Sequence, residues 1–175
     1  TMARSDSRSQ FSVPITGLEE RVYDLSFRAD VSDCGLTGFV GTIAVEGDLS
    51  HVGSQYRIDA TIDASLKTEC DRCLEPVERP MQASLQVVFE RSPTAIEDDG
   101  DIRPLGEEES SIVLDDAIRD AVLLARPLKN LCREDCAGLC PSCGTDLNTK
   151  HCACQNETVD PRWSALAALR EGKEK

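Results

Sequence analysis

The spacing of the cysteines constrains this chain more than any other feature of its sequence. Six of the nine cysteines fall within the 23 residues from Cys132 to Cys154, which read CREDCAGLCPSCGTDLNTKHCAC. Two more, Cys70 and Cys73, form the pair in ECDRC, upstream of that stretch. Two thiolates separated by two residues can bind one soft divalent cation, because a tight turn points both sulfurs at it. The pattern therefore predicts tetrahedral zinc.

The number and clustering of the cysteines also indicate a reducing compartment. Nine is an odd count, and no apolar stretch has the form of a signal peptide or a membrane span. We therefore expect a cytoplasmic protein, in which clustered cysteines are metal ligands more often than disulfides. Disulfides and an iron–sulfur cluster are the alternatives to zinc.

The charge of the chain limits its partners. It contains 32 acidic and 19 basic residues, which give a net charge of -13. Phosphate contacts need clustered lysine and arginine, so the overall field does not attract nucleic acid. An acidic protein attracts basic partners instead, and ribosomal proteins are an abundant basic class.

Alternating apolar residues predict a β-sheet. The clearest run has one apolar set facing one side: Tyr56, Ile58, Ala60, Ile62, Ala64 and Leu66. A slip of one residue would turn this whole set to solvent, so the register is well specified. Similar runs at residues 23–27, 36–49 and 80–89 predict further strands, with residues 49–55 as a hairpin connection. We expect an antiparallel sheet with one packed and one solvated face.

An acidic segment and a helix follow the strands. Residues 91–120 contain ten acidic and three basic side chains, so residues 91–111 are predicted to be a solvated, mobile loop, with a docking site as the alternative. Six apolar residues then recur at helical spacing: Leu114, Ala117, Ile118, Ala121, Val122 and Ala125. They predict a helix over residues 115–126 that covers the sheet.

The predicted fold is therefore α+β, with three parts. Residues 1–10 are a flexible tail, and residues 11–128 are an antiparallel sheet domain with its covering helix. Residues 129–175 form a cysteine-rich, zinc-ribbon-like module. That module ends in a short amphipathic helix, which begins at Asp160 and Pro161 and carries Trp163.

Eight cysteines in four pairs suit two zinc ions with four thiolates each. The candidate ligands are Cys70, Cys73, Cys132, Cys136, Cys140, Cys143, Cys152 and Cys154. One division assigns the first four to one ion and the last four to the other. An interleaved division exchanges the 132/136 pair with the 152/154 pair, and His151 is an alternative ligand. Cys34 has no cysteine neighbour and is expected to be a free thiol in a turn.

The same chemistry argues against catalysis. Four thiolates leave no open position for water, so both zinc ions are predicted to be structural. No spacing supplies His51 or His151 with a nucleophile and an orienting group, so we expect no catalytic residue and no small-molecule substrate. A thioredoxin-like pair needs its first cysteine at a helix N-terminus. Cys70 lies between two predicted strands, which favours a metal knuckle.

Four motifs, taken in order, resemble those of a known family. They are E-C-D-R-C-L after a strand, I-V-L-D-D-A-I-R-D-A-V-L-L-A-R-P-L-K, C-x3-C-x-G-L-C-P-x-C-G-x-x-L-N-x3-C-x-C, and D-P-R-W-x-x-L. In that order they resemble the YceD family, the large ribosomal RNA subunit accumulation proteins. The resemblance extends from about residue 13 to residue 169. Members that lack the C-P-x-C-G part keep the C-x-x-C and the segment matching Cys132 to Cys136, which favours the first division of ligands.

The resemblance implies a non-enzymatic cytoplasmic factor for accumulation or processing of large-subunit ribosomal RNA. The expected partners are the precursor of that RNA, a basic ribosomal protein, or both, and no membrane. Four basic residues near the cysteines are weak candidates for RNA contact: Arg72, Lys129, Arg133 and Lys150. The alternatives are a generic zinc-ribbon interaction module, for example in transcription, and a thiol redox or metal-dependent enzyme.

Overall fold

Seven strands and one α-helix make up the part of the chain that the computed structural model describes, residues 9–91 and 102–154. The strands are β1 (Ser12–Pro14), β2 (Val22–Asp30), β3 (Phe39–Val52), β4 (Gln55–Glu69), β5 (Pro76–Arg91), β6 (Ile102–Leu105) and β7 (Ser111–Val113). The helix α1 spans Asp115–Leu124, and a short 310 helix, Val31–Cys34, follows β2. None of these described helices has the length and apolar character needed to cross a bilayer.

The main sheet has five strands in the order β2-β3-β4-β5-β6. Its first four strands are antiparallel neighbours joined in sequence, so the predicted antiparallel sheet is confirmed for them. The fifth strand differs, because β6 pairs parallel with β5. A second, two-stranded sheet pairs β1 with β7. The strand β6 lies within residues 91–111, which were predicted to be a loop, and β7 begins at the last residue of that segment. The described part of the predicted loop therefore contains strand structure.

The register of β4 matches the alternation in the sequence. Ile58, Ile62 and Leu66 are completely buried, and the polar residues between the apolar ones face the open side of the sheet. The hairpin is tighter than the predicted connection: β3 runs to Val52, and Gly53 and Ser54 alone separate it from β4. His51, expected in the connection, instead pairs with Tyr56, and their rings stack at 4.4 Å.

The helix α1 covers the packed face of the sheet, as predicted. Leu114, Ile118 and Val122 are at most 1% exposed, and Ala117 is also buried. The helix ends at Leu124, two residues before the predicted end at residue 126. Its first residue, Asp115, accepts hydrogen bonds from the backbone N–H groups of Gln10 and Phe11.

The packed faces of both sheets and the helix share one apolar core. Phe11 lies at its N-terminal side, 1% exposed, with its ring edge-on to Phe27 at 6.0 Å between centroids. A second, smaller cluster of buried cysteines lies where β4 turns into β5. The predicted C-terminal helix beginning at Asp160 lies outside the described residues, as do residues 1–8 of the predicted tail.

Candidate metal centres

The turn between β4 and β5 carries the first cysteine pair. Cys70 donates its backbone N–H to the carbonyl oxygen of Glu75 at 2.8 Å, and Leu74 donates its own to the carbonyl oxygen of Cys70 at 2.9 Å. Leu74 adopts the left-handed conformation with φ 63°, which is unfavourable for a residue with a Cβ. Strand follows strand here, and no described helix begins at Cys70, so the thioredoxin-like arrangement does not occur.

The Cys140/Cys143 pair forms a turn with the same two backbone hydrogen bonds. Cys140 donates its N–H to the carbonyl oxygen of Thr145 at 2.8 Å, and Gly144 donates to the carbonyl oxygen of Cys140 at 2.8 Å. Gly144, at the position equivalent to Leu74, has φ 69°. In both turns backbone N–H groups point toward the sulfur of the first cysteine, Cys70 or Cys140. The two C-x-x-C turns therefore share one conformation, which is that of a metal-binding knuckle.

The chain after α1 returns to the first knuckle and brings the next two cysteines to it. Asp71 and Asn130 are joined by two hydrogen bonds. Arg72 then reaches across with its Nη1 to the carbonyl oxygen of Cys136 at 2.7 Å. Because these contacts involve residues about sixty positions apart, the sheet and the cysteine-rich segment form one local structure around the first knuckle.

Four sulfurs converge at each of two places. Cys70, Cys73, Cys132 and Cys136 form one group, and Cys140, Cys143, Cys152 and Cys154 form the other. Within each group all four sulfurs lie within 4.8 Å of one another. The structure thus groups the cysteines as the first division does and not as the interleaved one. His151 belongs to neither group.

The sulfur spacing in the first group suits a tetrahedral thiolate site. The Sγ atoms of Cys70 and Cys136 are 3.8 Å apart, and those of Cys73 and Cys132 are 3.6 Å apart. Zinc–sulfur bonds of about 2.3 Å in a tetrahedron place the sulfurs about 3.8 Å apart. A disulfide needs about 2.05 Å, and all nine cysteines are free thiols.

The two groups differ in how deeply they are buried. Cys70, Cys73 and Cys136 are 0%, 7% and 2% exposed, whereas in the second group only Cys140 is buried. The first group joins segments about sixty residues apart, and the second closes within a fifteen-residue stretch. Closing the long loop constrains more of the chain, so a metal ion held by the first group would add more to the stability of the fold.

The electrostatics of the first group favour a bound cation. Desolvation opposes ionisation of Cys70, but backbone hydrogen bonds from Cys132 and then Arg72 outweigh it and lower the pKa of Cys70 to about 6. Desolvation, together with the side chain of Cys136, raises the pKa of Cys132 to about 12. The Cys70 thiolate therefore forms readily, whereas Cys132 resists adding a second negative charge beside it. A divalent cation removes that conflict.

The second group has the same pattern. Backbone hydrogen bonds from Cys143 and then Ser142 lower the pKa of Cys140 to about 6. The side chain of Cys143 raises the pKa of Cys154 to about 12. Both groups therefore offer the all-sulfur donor set and the charge balance of a closed zinc site.

The remaining residues singled out in the sequence have other roles. Cys34 is a lone buried thiol, and its pKa is raised by burial and then by the carboxylate of Asp115. Arg72 is committed to the backbone of the cysteine segment, and Arg133 pairs with Asp135 at 3.3 Å. Two of the four candidate RNA contacts are thus engaged within the protein. The contacts made by Asn130 and Asn148 were not predicted, because no motif or spacing in the sequence indicates them.

The fold and the two cysteine groups define a β-sheet protein with two candidate all-cysteine metal centres. Residues 58–170 match the family described as large ribosomal RNA subunit accumulation protein YceD. The chain belongs to the YceD family, so the resemblance seen in the sequence is confirmed. No solved structure matches the chain.

Curated relatives include bacterial and plant proteins. An uncharacterized protein of Mycobacterium tuberculosis is 34% identical over 113 residues, which are 64% of this chain and 54% of the relative. A protein of Arabidopsis thaliana, named as a chloroplastic large ribosomal RNA subunit accumulation protein YCED homolog, is 26% identical over 74% of this chain and 49% of its own length. The maize protein of the same name is 24% identical. The chain spans about half the length of these relatives.

Proposed function

We propose that this chain is a non-catalytic factor for the accumulation or processing of large-subunit ribosomal RNA, stabilised by two structural zinc ions. Family membership supports the process, because the family is named for large-subunit ribosomal RNA accumulation. The convergence of eight cysteines into two groups of four supports the metal. The single observation that carries the proposal is the first group, since it joins the sheet to the family's cysteine motif.

The residues that would hold the ions are the eight cysteines of the two groups. Zinc would supply charge neutralisation for four thiolates and a rigid link between chain segments. The chain's own part is to present the sulfurs: the two knuckles point backbone N–H groups at them, and Arg72 fixes the segment that carries Cys136. Four protein ligands at each ion leave no position for a substrate, so the protein acts as a scaffold.

The partner we propose is a basic ribosomal protein, with ribosomal RNA reached through it. The net charge of -13 favours a basic surface over a phosphate backbone. Arg72 and Arg133, two of the four basic residues near the centres, are already engaged. Reduced thiols are needed for zinc, so we place the protein in a reducing compartment such as the cytoplasm.

Depletion in cells tests the process. We expect a selective fall in large-subunit relative to small-subunit ribosomal RNA, with a matching loss of large subunits in sucrose gradients. Complementation with the wild type or with Cys34→Ser should restore the ratio, because Cys34 lies outside both groups. Cys70→Ser should not restore it. An unchanged ratio after depletion would leave a general zinc-ribbon interaction module as the better account.

A further inference from the structure

The Asn148 side chain links the loop of the second cysteine group to a sulfur of the first group. It lies between Cys143 and Cys152, inside the loop that the second group closes. The backbone of this loop is fixed by a hydrogen bond from the N–H of Leu147 to the carbonyl oxygen of Gly138 at 2.9 Å. From this position the Asn148 carboxamide reaches a cysteine of the first group.

The orientation of the Asn148 carboxamide is determined by its neighbours. Its Oδ1 accepts from the backbone N–H of Ala137 at 2.8 Å and from Nη2 of Arg133 at 2.8 Å. Both of those groups only donate, so the oxygen must face them. The Nδ2 group therefore faces the other side, where it donates to Oδ1 of Asp146 at 2.7 Å and to Sγ of Cys136 at 3.5 Å.

Every hydrogen-bonding position of this carboxamide is thus used. The Asp146 carboxylate also accepts from the backbone N–H of Asn148 at 3.0 Å, which holds the side chain in place. Cys136 is 2% exposed, so water does not replace this donor easily. A saturated, oriented donor on a buried sulfur is the arrangement by which groups outside a metal's ligand shell tune the ligand.

We propose that Asn148 is a positioning residue that couples the two metal centres, so that an ion in the second centre strengthens binding in the first. The inference rests on the proposed zinc centres. Four thiolates around one divalent cation carry excess negative charge, and an N–H donor to one sulfur offsets part of it. An ion held by Cys140, Cys143, Cys152 and Cys154 would restrain the loop that supplies this donor. Filling the second centre would therefore strengthen metal binding at the first.

The test uses the full chain loaded with ¹¹³Cd²⁺, which reports each thiolate centre as a separate NMR resonance. The resonance retained by Cys152→Ser/Cys154→Ser identifies the first centre. In Asn148→Ala and in the near-isosteric Asn148→Asp, this resonance should shift, and a competing chelator should empty the first centre at a roughly 10- to 100-fold lower concentration. Lys150→Ala, an exposed change in the same loop, is the matched control and should behave as the wild type.

Coupling predicts a second result that a purely local role would not give. Cys152→Ser/Cys154→Ser retains Asn148 but should weaken the first centre in the same direction as Asn148→Ala. Adding Asn148→Ala to that variant should then weaken metal binding at the first centre little further, because both changes disrupt the same interaction, that of Asn148 with Cys136.

Two outcomes would overturn the inference. First-centre binding that is equal in wild type and Asn148→Ala would show that the donor has no effect. First-centre binding unaffected by Cys152→Ser/Cys154→Ser would show that the centres are independent. A wild type that binds fewer than two ions would instead remove the proposed zinc centres themselves, and the coupling with them, which separates the two failures.

Discussion

Asp71 and Asn130 bind each other through two hydrogen bonds although 59 residues separate them. The backbone N–H of Asp71 donates to the carbonyl oxygen of Asn130 at 2.8 Å, and the N–H of Asn130 donates to Oδ2 of Asp71 at 2.6 Å. These two hydrogen bonds hold the cysteine-rich segment against the β4–β5 turn. They need no metal, and together with the Arg72–Cys136 contact they hold the segment that carries Cys132 beside the turn that carries Cys73.

Asp71→Ala should therefore destabilise the link between the sheet and the cysteine segment. Loss of a carboxylate acceptor at an exposed site is expected to lower the free energy of unfolding by about 1 kcal/mol. Urea denaturation with saturating Zn²⁺ measures this. Glu78→Ala, an exposed acidic residue on the neighbouring strand, is the control and should change little. Equal stability of the two variants would show that the hydrogen bond to the Asp71 carboxylate does not stabilise the fold.

Gly138 sits where the two cysteine groups meet, and we expect it to reject a side chain. Its φ is +75°, and a Cβ there would lie 3.0 Å from the carbonyl oxygen of Arg72. Gly138→Ala should cost more than about 1 kcal/mol, since conformational strain and a backbone contact add together. Gly17→Ala supplies the control, because Gly17 has φ +74° and no atom near its Cβ position. Thermal unfolding measures the loss of stability in both variants. A similar loss in the two would show that the contact with the Arg72 carbonyl oxygen contributes nothing to the cost of Gly138→Ala.

The part of the structure that sequence reasoning could predict is the part set by local periodicity. Alternation alone gave the register of β4, because burying Ile58 and Ile62 fixes the face of every residue between them. The helical spacing of Ile118 and Val122 likewise identified the covering face of α1. The C-x-x-C turn was predictable because its geometry depends on a few adjacent residues.

The contacts between distant segments could not be predicted in this way. Cysteine spacing alone allowed two divisions of the ligands. The observed grouping depends on the hydrogen bond from Arg72 to Cys136 and on the hydrogen bonds between Asp71 and Asn130. The parallel pairing of β6 was missed because its residues lie beside an acidic stretch that resembles a solvated loop. A short strand is stabilised by the neighbour it pairs with, so its own composition carries little signal.

The packing of α1 on the sheet gives a third prediction. Ile118 is 1% exposed, and Ile118→Ala should lower the free energy of unfolding by about 2–5 kcal/mol through lost burial and a cavity. Leu124→Ala removes an apolar side chain from the same helix, but Leu124 is 86% exposed and should change stability by less than about 0.5 kcal/mol. Chemical denaturation distinguishes the two. Equal losses would mean that this face of the helix is not the packed one.

Zinc binding should release protons, and its affinity should fall as the pH falls. In the metal-free protein the raised pKa values of Cys132 and Cys154, about 12, keep these thiols protonated at pH 7. Both must ionise to bind, so each ion displaces at least one proton. Below about pH 6 the thiols of Cys70 and Cys140 are protonated too, so the pH dependence should steepen there.

Calorimetric titration at one pH in buffers with different ionisation enthalpies measures the number of protons released. The measured heats should differ between buffers in proportion to that number. Buffer-independent heats would contradict the proposal that these thiols are the ligands.

Native mass spectrometry of the intact protein, purified under reducing conditions, counts the bound zinc ions directly. We expect two zinc ions per chain in the wild type and in Cys34→Ser. We expect the loss of one ion in Cys140→Ser, with the first centre still occupied. A wild-type protein that carries one ion or none after loading with zinc would contradict the two-centre account.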